Sequence, residues 1–308
     1  MKKHIIAVSA LALTSAVAQA ADGSSFSGFV DAQWGWIKDG SGDGARVNLG
    51  QVAWSHQMGE ASVKLEIPFA QTAGTSDFAL GNDLTQAFVQ YNYAGGLSWS
   101  LGQWDGIFGL ERNDTNMVQF TNQGAMFGTQ AKTNTGLMLG YKLSDSMNVD
   151  VYVSGARDAG GTDSMDAPEL GGKFSLGGDF HLSVGAFFRQ EGDDVSRIYV
   201  NSVIGMKMAG LDLGAEVTYT KAGAGDASIG AGLIGSYGIS DALAAGLRVQ
   251  YLSNFEAHQQ IDVTVGPQYN MTKNLRVKAD YTLSMVTATK GADAVNGQSA
   301  ALAAVYSF

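Results

Sequence analysis

Ala61-Ser62-Val63-Lys64-Leu65-Glu66-Ile67-Pro68-Phe69 alternates without a break. Successive side chains of an extended chain point to opposite sides. Ala61, Val63, Leu65, Ile67 and Phe69 therefore share one face, with Ser62, Lys64, Glu66 and Pro68 on the other. The same period returns in Leu182/Val184/Ala186/Phe188, Leu211/Leu213/Ala215/Val217/Tyr219, Leu243/Ala245/Leu247/Val249/Tyr251 and Leu275/Val277/Ala279/Tyr281/Leu283. No segment carries a convincing helical period. Even the uncharged stretch from Leu84 to Trp104 alternates and is broken by Gly95-Gly96, which makes it a hairpin and not a helical span.

Turn chemistry adds a second, longer period. Short turn clusters near Gly59, Gly95, Asp145, Gly178, Ala209, Asp241 and Lys273 recur about every 32 residues, the length of one hairpin with a tight turn and a longer loop. Polar segments at Asp39–Gly44, Asp158–Pro168, Glu191–Val195, Ala222–Asp226 and Lys290–Gly297 fall between them. Seven tight turns divide the chain into up–down pairs that total about 16 strands, with 14 as the alternative count. One spacing, of about 50 residues, is too long for a hairpin and too short for two. It is read as an enlarged third extracellular loop, about Asp105–Thr135, after the fifth strand. Pro267 interrupts a strand pattern without a ladder donor, which predicts a bulge there.

Composition narrows the class. Of 308 residues, 41 are Gly, 3 Pro and none Cys; 45% are hydrophobic, 10% aromatic and only 16% charged, with a net charge of −10. Aromatic-rich, charge-poor chains are not disordered. The absence of Cys excludes a disulfide scaffold and Cys-ligated metals, and the acidic balance argues against nucleic acid as a partner. At the N-terminus, Lys2-Lys3, the apolar run Ile5–Val17 and Ala18-Gln19-Ala20 read as a secretory signal peptide over 1–20, cleaved after Ala20. Residues 21–308 are then a single domain.

Alternation cannot say which face meets the core; aromatic placement can. Tyr91, Tyr93, Tyr141, Phe180, Tyr237, Tyr269 and Tyr306 lie beside the tight turns or the C-terminus. Trp34, Trp36, Phe69, Phe188, Tyr219 and Tyr251 lie beside the long loops, and small or aliphatic residues lie between the two groups. Two aromatic girdles around an aliphatic band mark the two interfaces of a bilayer. A sheet in lipid must close on itself to satisfy its backbone. The expected fold is all-β, a transmembrane antiparallel β-barrel.

The chain ends Ala301-Leu302-Ala303-Ala304-Val305-Tyr306-Ser307-Phe308. This apolar alternation with a terminal Phe resembles the signal read by the outer-membrane barrel assembly machinery, with Tyr306 and Phe308 as its assembly residues. With the leader and the hairpin period, the whole of 21–308 resembles a Gram-negative outer-membrane porin. Leu101-Gly102, Phe108-Gly109 and Glu111 further resemble the OmpL-like β-barrel porins. The enlarged loop matches the position of the constriction loop of general porins but lacks their Pro-Glu-Phe-Gly-Gly stretch. The resemblance implies a water-filled channel in the Gram-negative cell outer membrane for passive diffusion of ions and small hydrophilic solutes. It also implies contact with outer-membrane lipid and lipopolysaccharide, dependence on the assembly machinery and a homotrimer. The alternatives are a structural or adhesive barrel with a plugged lumen, and a substrate-specific channel.

Strand parity turns a set of charges inward. Arg46 and Lys64 come from strands two and three, Arg189 and Arg197 from nine and ten, Arg248 from thirteen, and Arg276 and Lys278 from fifteen. The inward acids are Asp31, Glu66, Asp150, Glu216, Asp262 and Asp280. Asp105, Glu111 and Asp114 lie on the enlarged loop with Arg112 among them. If the loop folds inward, its three acids approach the basic wall of Arg46 and Lys64, and charges lining a pore set ion preference. An enzyme is not expected: His56, His181 and His258 share no local motif with a Ser nucleophile. No cofactor is expected either. Asp39–Gly44 imitates the start of a calcium loop, but Gly50 stands where the closing Glu would be, and no metal site is read.

Overall fold

The computed structural model describes residues 23–38, 44–71, 78–80, 85–157, 168–190, 196–223, 227–254, 258–288 and 295–308. The expected signal peptide, most of the polar segments between hairpins and the side chain of Arg46 lie outside the described residues. The strands are β1 Ser24–Ile37, β2 Gly44–Met58, β3 Ala61–Gln71, β4 Phe78–Leu80, β5 Gln86–Asn92, β6 Leu97–Asp105, β7 Thr133–Lys142, β8 Met147–Arg157 and β9 Pro168–Leu176. The series continues with β10 Phe180–Gln190, β11 Ser196–Met208, β12 Leu211–Ala222, β13 Ala227–Gly238, β14 Leu243–Asn254, β15 His258–Asn270, β16 Leu275–Ala288 and β17 Val295–Ser307.

All the pairings are antiparallel, and β1 pairs with β17, so the sheet closes on itself. β4 and β5 both pair with β3 and occupy one position in the wall, which makes a barrel of 16 staves. Closure extends to the last residue: Gly28 and Phe308 exchange backbone hydrogen bonds at 3.1 and 3.0 Å. Every expected tight turn joins two neighbouring strands, from Gly59 between β2 and β3 to Lys273 between β15 and β16.

Burial is inverted relative to a soluble sandwich. On β12, Thr218 is 2% exposed while its neighbour Val217 is 54% exposed. The buried set is rich in charge and amide, including Asp31, Glu66, Glu169, Arg189, Asn201, Arg248 and Lys278, whereas Leu137, Val153, Ile204, Leu247 and Leu302 face out. Apolar surface exposed all round a closed sheet is stable in lipid and not in water. Members of both aromatic girdles, such as Tyr141, Phe180 and Tyr237 at one rim and Trp34 and Phe188 at the other, are exposed on this outer face.

The bulge expected at Pro267 is absent. Pro267 pairs with Ala245 of β14, and on the β16 side the ladder passes from Val265–Tyr281 to Gln268–Lys278 in unchanged register. The strand tolerates the missing proline N–H by losing local rungs. The irregularity sits instead in β2, where Asp31 pairs with Leu49 and Ala32 with Val47, leaving Asn48 as the extra residue. Asn48 donates a hydrogen bond to Asp31, and beyond the bulge Arg46 pairs with Gln33, an inward-facing residue.

Candidate functional site

The segment 106–132 between β6 and β7 folds into the barrel. Its composition explains why: Phe108, Val118, Phe120, Met126, Phe127 and Ala131 are buried. Outside the barrel these groups would be left in water. The ends of the loop are pinched together. Gly106 N–H donates to Lys132 O at 2.7 Å, and a Cβ on Gly106 would stand 2.0 Å from Ala131 O. Asn113 ties the same neck by donating to both Asp105 and Lys132 O, each at 2.7 Å.

From the neck the loop crosses the lumen. Phe108 enters an aromatic box of Tyr152, Phe187 and Tyr199, with ring centroids 6.4, 5.9 and 5.5 Å away. The wall makes room for it: a Cβ on Gly185 would lie 2.5 Å from the Phe108 ring, and one on Gly214 would lie 2.8 Å from Leu110. Gly109 and Leu110 N–H groups donate to Asn201 and Glu216. Glu111 reaches β14 and pairs with Arg248 at 2.7 Å, both side chains buried. The chain returns to the neck at Asn113, runs along β16 from Thr115 to Thr121 and comes back past β14. There Gly124 N–H bonds Glu111 and Met126 N–H bonds Gln250. Arg197 then donates to Thr129 O at 3.0 Å.

The wall cations read from the sequence all point inward where their side chains are described, and most hold the loop. Arg248 bonds Glu111 and Asn122 O. Lys278 bonds the carbonyls of Thr115, Val118 and Phe120. Arg189 instead forms a wall pair with Glu169 at 2.7 Å, backed by Tyr152 and Asn134, which also bond Glu169. Lys64 pairs with Glu66 at 2.5 Å and is the most open of the four, with its side chain 35% exposed.

The three loop acids part company. Glu111 is spent on Arg248. Asp105 and Asp114 gather with Glu66, and the carboxylate oxygens of these three lie within 4.8 Å of one another. Gln86 and Asn113 donate to Asp105. Burial pushes the Asp114 carboxyl up to about 6, and the Glu66 carboxylate adds to the rise; Lys64 and a hydrogen bond from Gln51 oppose it. Among the described residues, three carboxylates stand beside one ammonium at this corner and leave it negative when ionised. Arg112 lines a cavity of about 930 Å³ toward the tight-turn end together with Lys173, Asp150 and His181.

Several members of the site escaped the sequence reading. Glu169 and Lys173 lie on β9, where Gly171-Gly172 hides the alternation. Lys173 donates to Ile107 O. The inward aromatics Tyr152, Phe187 and Tyr199 were not among the inward residues that strand parity supplied from the sequence. The signal for them was parity: Phe187 is two residues from Arg189, and Tyr199 two from Arg197. Tyr306 and Phe308 stack at 6.4 Å at the closing seam.

The family described as "Putative beta-barrel porin-2, OmpL-like" matches residues 23–308. Among solved structures, the outer membrane channel DcaP of Acinetobacter baumannii superposes with a TM-score of 0.69 at 16% identity, over 94% of this chain and 99% of that one. OmpF of Salmonella typhi, in complex with daunomycin, gives 0.67 at 14%, over 92% and 97%. An anion-selective porin from Comamonas acidovorans gives 0.66 at 11%, over 92% and 99%. No curated protein matches the sequence.

Proposed function

Because the chain belongs to the OmpL-like family of β-barrel porins, an outer-membrane channel, we propose that its inward-folded loop makes a constriction with a mild preference for cations. The observation that carries this reading is the grouping of Asp105, Asp114 and Glu66, with oxygens within 4.8 Å, against one ammonium among the described residues, that of Lys64. Glu111 adds no free charge, because Arg248 neutralises it. A mobile cation entering this corner meets negative potential where the lumen is narrow, and a small anion is repelled. The Comamonas acidovorans porin shares the fold and is described as anion-selective, so the sign of selectivity belongs to local charges and not to the barrel.

In this reading Arg46, Lys64, Arg189, Arg197, Arg248 and Lys278 line or support the pore, and Asp105 and Asp114 face it. Glu111 anchors the loop, and Tyr306 with Phe308 present the assembly signal to the insertion machinery. The long loops face outward among lipopolysaccharide, and the tight turns near Asp145 and Asp241 face the periplasm. A Vibrio cholerae OmpT structure of trimer form shares the fold at a TM-score of 0.66 and 13% identity, over 92% of this chain and 99% of that one, which supports assembly as a homotrimer. Chemical cross-linking in detergent tests the trimer. Planar-bilayer recording tests the channel: stepwise conductance is expected, with a reversal potential in a salt gradient of the sign for cations. An anion-signed potential refutes the selectivity, and a silent bilayer favours the plugged barrel.

A further inference from the structure

The inward face of β16 is matched to one stretch of the loop. Its successive inward residues Arg276, Lys278 and Asp280 each engage segment 115–121. Arg276 donates to Asn116 O at 3.1 Å. Lys278 Nζ donates to Thr115 O at 2.6 Å, Val118 O at 2.5 Å and Phe120 O at 3.3 Å. Asp280 accepts from Thr121 N–H at 2.7 Å and Thr121 Oγ1 at 2.6 Å. Two cations thus meet carbonyls, and the anion meets an N–H and a hydroxyl.

Lys278 is the centre of this arrangement. It is 1% exposed, and its ammonium has three donors for three carbonyls. Those carbonyls belong to an irregular segment that opens with the single 3-10 turn Thr115–Met117, so regular backbone pairing cannot satisfy them. Removing the ammonium leaves them unpaired inside the barrel unless the segment moves out to water.

We propose that Arg276, Lys278 and Asp280 form a clamp that sets the width of the channel by holding segment 115–121 against the wall, with Lys278 as the positioning residue. This rests on the reading of the lumen as a diffusion path. The clamp acts on pore size, whereas the Asp105, Asp114 and Glu66 corner acts on charge, so the two can be separated by experiment.

The test is single-channel recording of K278M at high salt, where charge effects are screened. The expected result is a fall in conductance of about twofold with added open–closed flicker, because a freed segment leaves the wall and intrudes into the lumen. K278R keeps a multi-donor cation and should stay near the wild type. A chemical lock separates loop movement from a loosened barrel. Gln119 Cγ lies 2.7 Å from where a Cβ on Gly246 would stand, within disulfide reach, and the protein has no Cys of its own. Oxidised Q119C/G246C in the K278M background should return conductance to the wild-type level, and reduction should release it. Wild-type conductance in K278M overturns the clamp while leaving the channel reading intact. A fall in K278M that the oxidised lock does not reverse also overturns it, by placing the change in the barrel. A silent wild type overturns both readings. If K278M fails to assemble, R276Q/D280N, which retains the ammonium, should show a smaller fall of the same kind, and no fall there overturns the clamp.

Discussion

Neutralising the carboxylate corner should remove most of the cation preference, and the size of the loss follows from the geometry. In D105N/D114N two of the three clustered acids go, and Lys64 still pairs with Glu66. A permeating ion that touches the cluster passes about 5 Å from each removed charge, where one unit charge is worth about 0.8 kcal/mol in a water-filled lumen. At 0.1 M salt the Debye length of about 10 Å trims that to about 0.5 kcal/mol each, so about 1 kcal/mol is lost in total. Local cation enrichment should therefore fall about fivefold. At 1 M salt, with a Debye length of about 3 Å, the same change should be worth less than about twofold. The assay is the reversal potential across a bilayer at pH 8, measured in salt gradients centred on the two concentrations. An unchanged potential at low salt in a variant that still conducts would refute the placement of Asp105 and Asp114 at the constriction. The pH dependence has a definite sign. Asp114 titrates near 6, so its charge is present at pH 8 and fades below 6, and wild-type selectivity should slide toward that of the variant on acidification. A carboxyl whose pKa is raised in the folded state is the costlier group when ionised, so docking of the loop should strengthen as pH falls through about 6.

E111Q leaves the buried Arg248 without its carboxylate, a change worth about 3–5 kcal/mol against the docked loop. It should expose Arg112 to trypsin in the folded barrel, and unchanged protection would count against the Glu111–Arg248 latch. Deleting Phe308 removes the residue whose N–H and carbonyl both bond Gly28. Its amount in the outer membrane should drop sharply, and normal levels would dismiss the assembly role. Ala209 sits at φ 48, in the left-handed region that favours glycine. A209G should stabilise the turn between β11 and β12 by about 1 kcal/mol, read as a higher urea midpoint for unfolding.

The architecture was legible in the chain because it rests on short-range rules. Alternation at Ala61–Phe69 assigns faces residue by residue, and the turn clusters mark where strands reverse; both depend only on neighbours in sequence. Sixteen staves, the inward charges of β10, β14 and β16, and the enlarged loop after the fifth stave all follow from them. Where short-range rules yield to pairing, the reading slipped. Pro267 kept its register because the β14 ladder carries it, and the bulge fell at Asn48, which no turn or proline announces.

The course of the loop was decided by the tertiary structure alone. Its sequence shows acids, aromatics and Arg112, but not which wall each meets. Glu111 and Arg248 are 137 residues apart, and Lys278 and Thr115 are 163 apart. No local pattern links residues at such distances. Only closure of the barrel brings β14 and β16 opposite the neck at β6, so that an ion pair, a ring in a glycine-lined recess and one ammonium on three carbonyls select the path. Local chemistry determined that there would be a channel wall with charge inside it; the closed sheet decided which of those charges hold the loop and which remain for the ions.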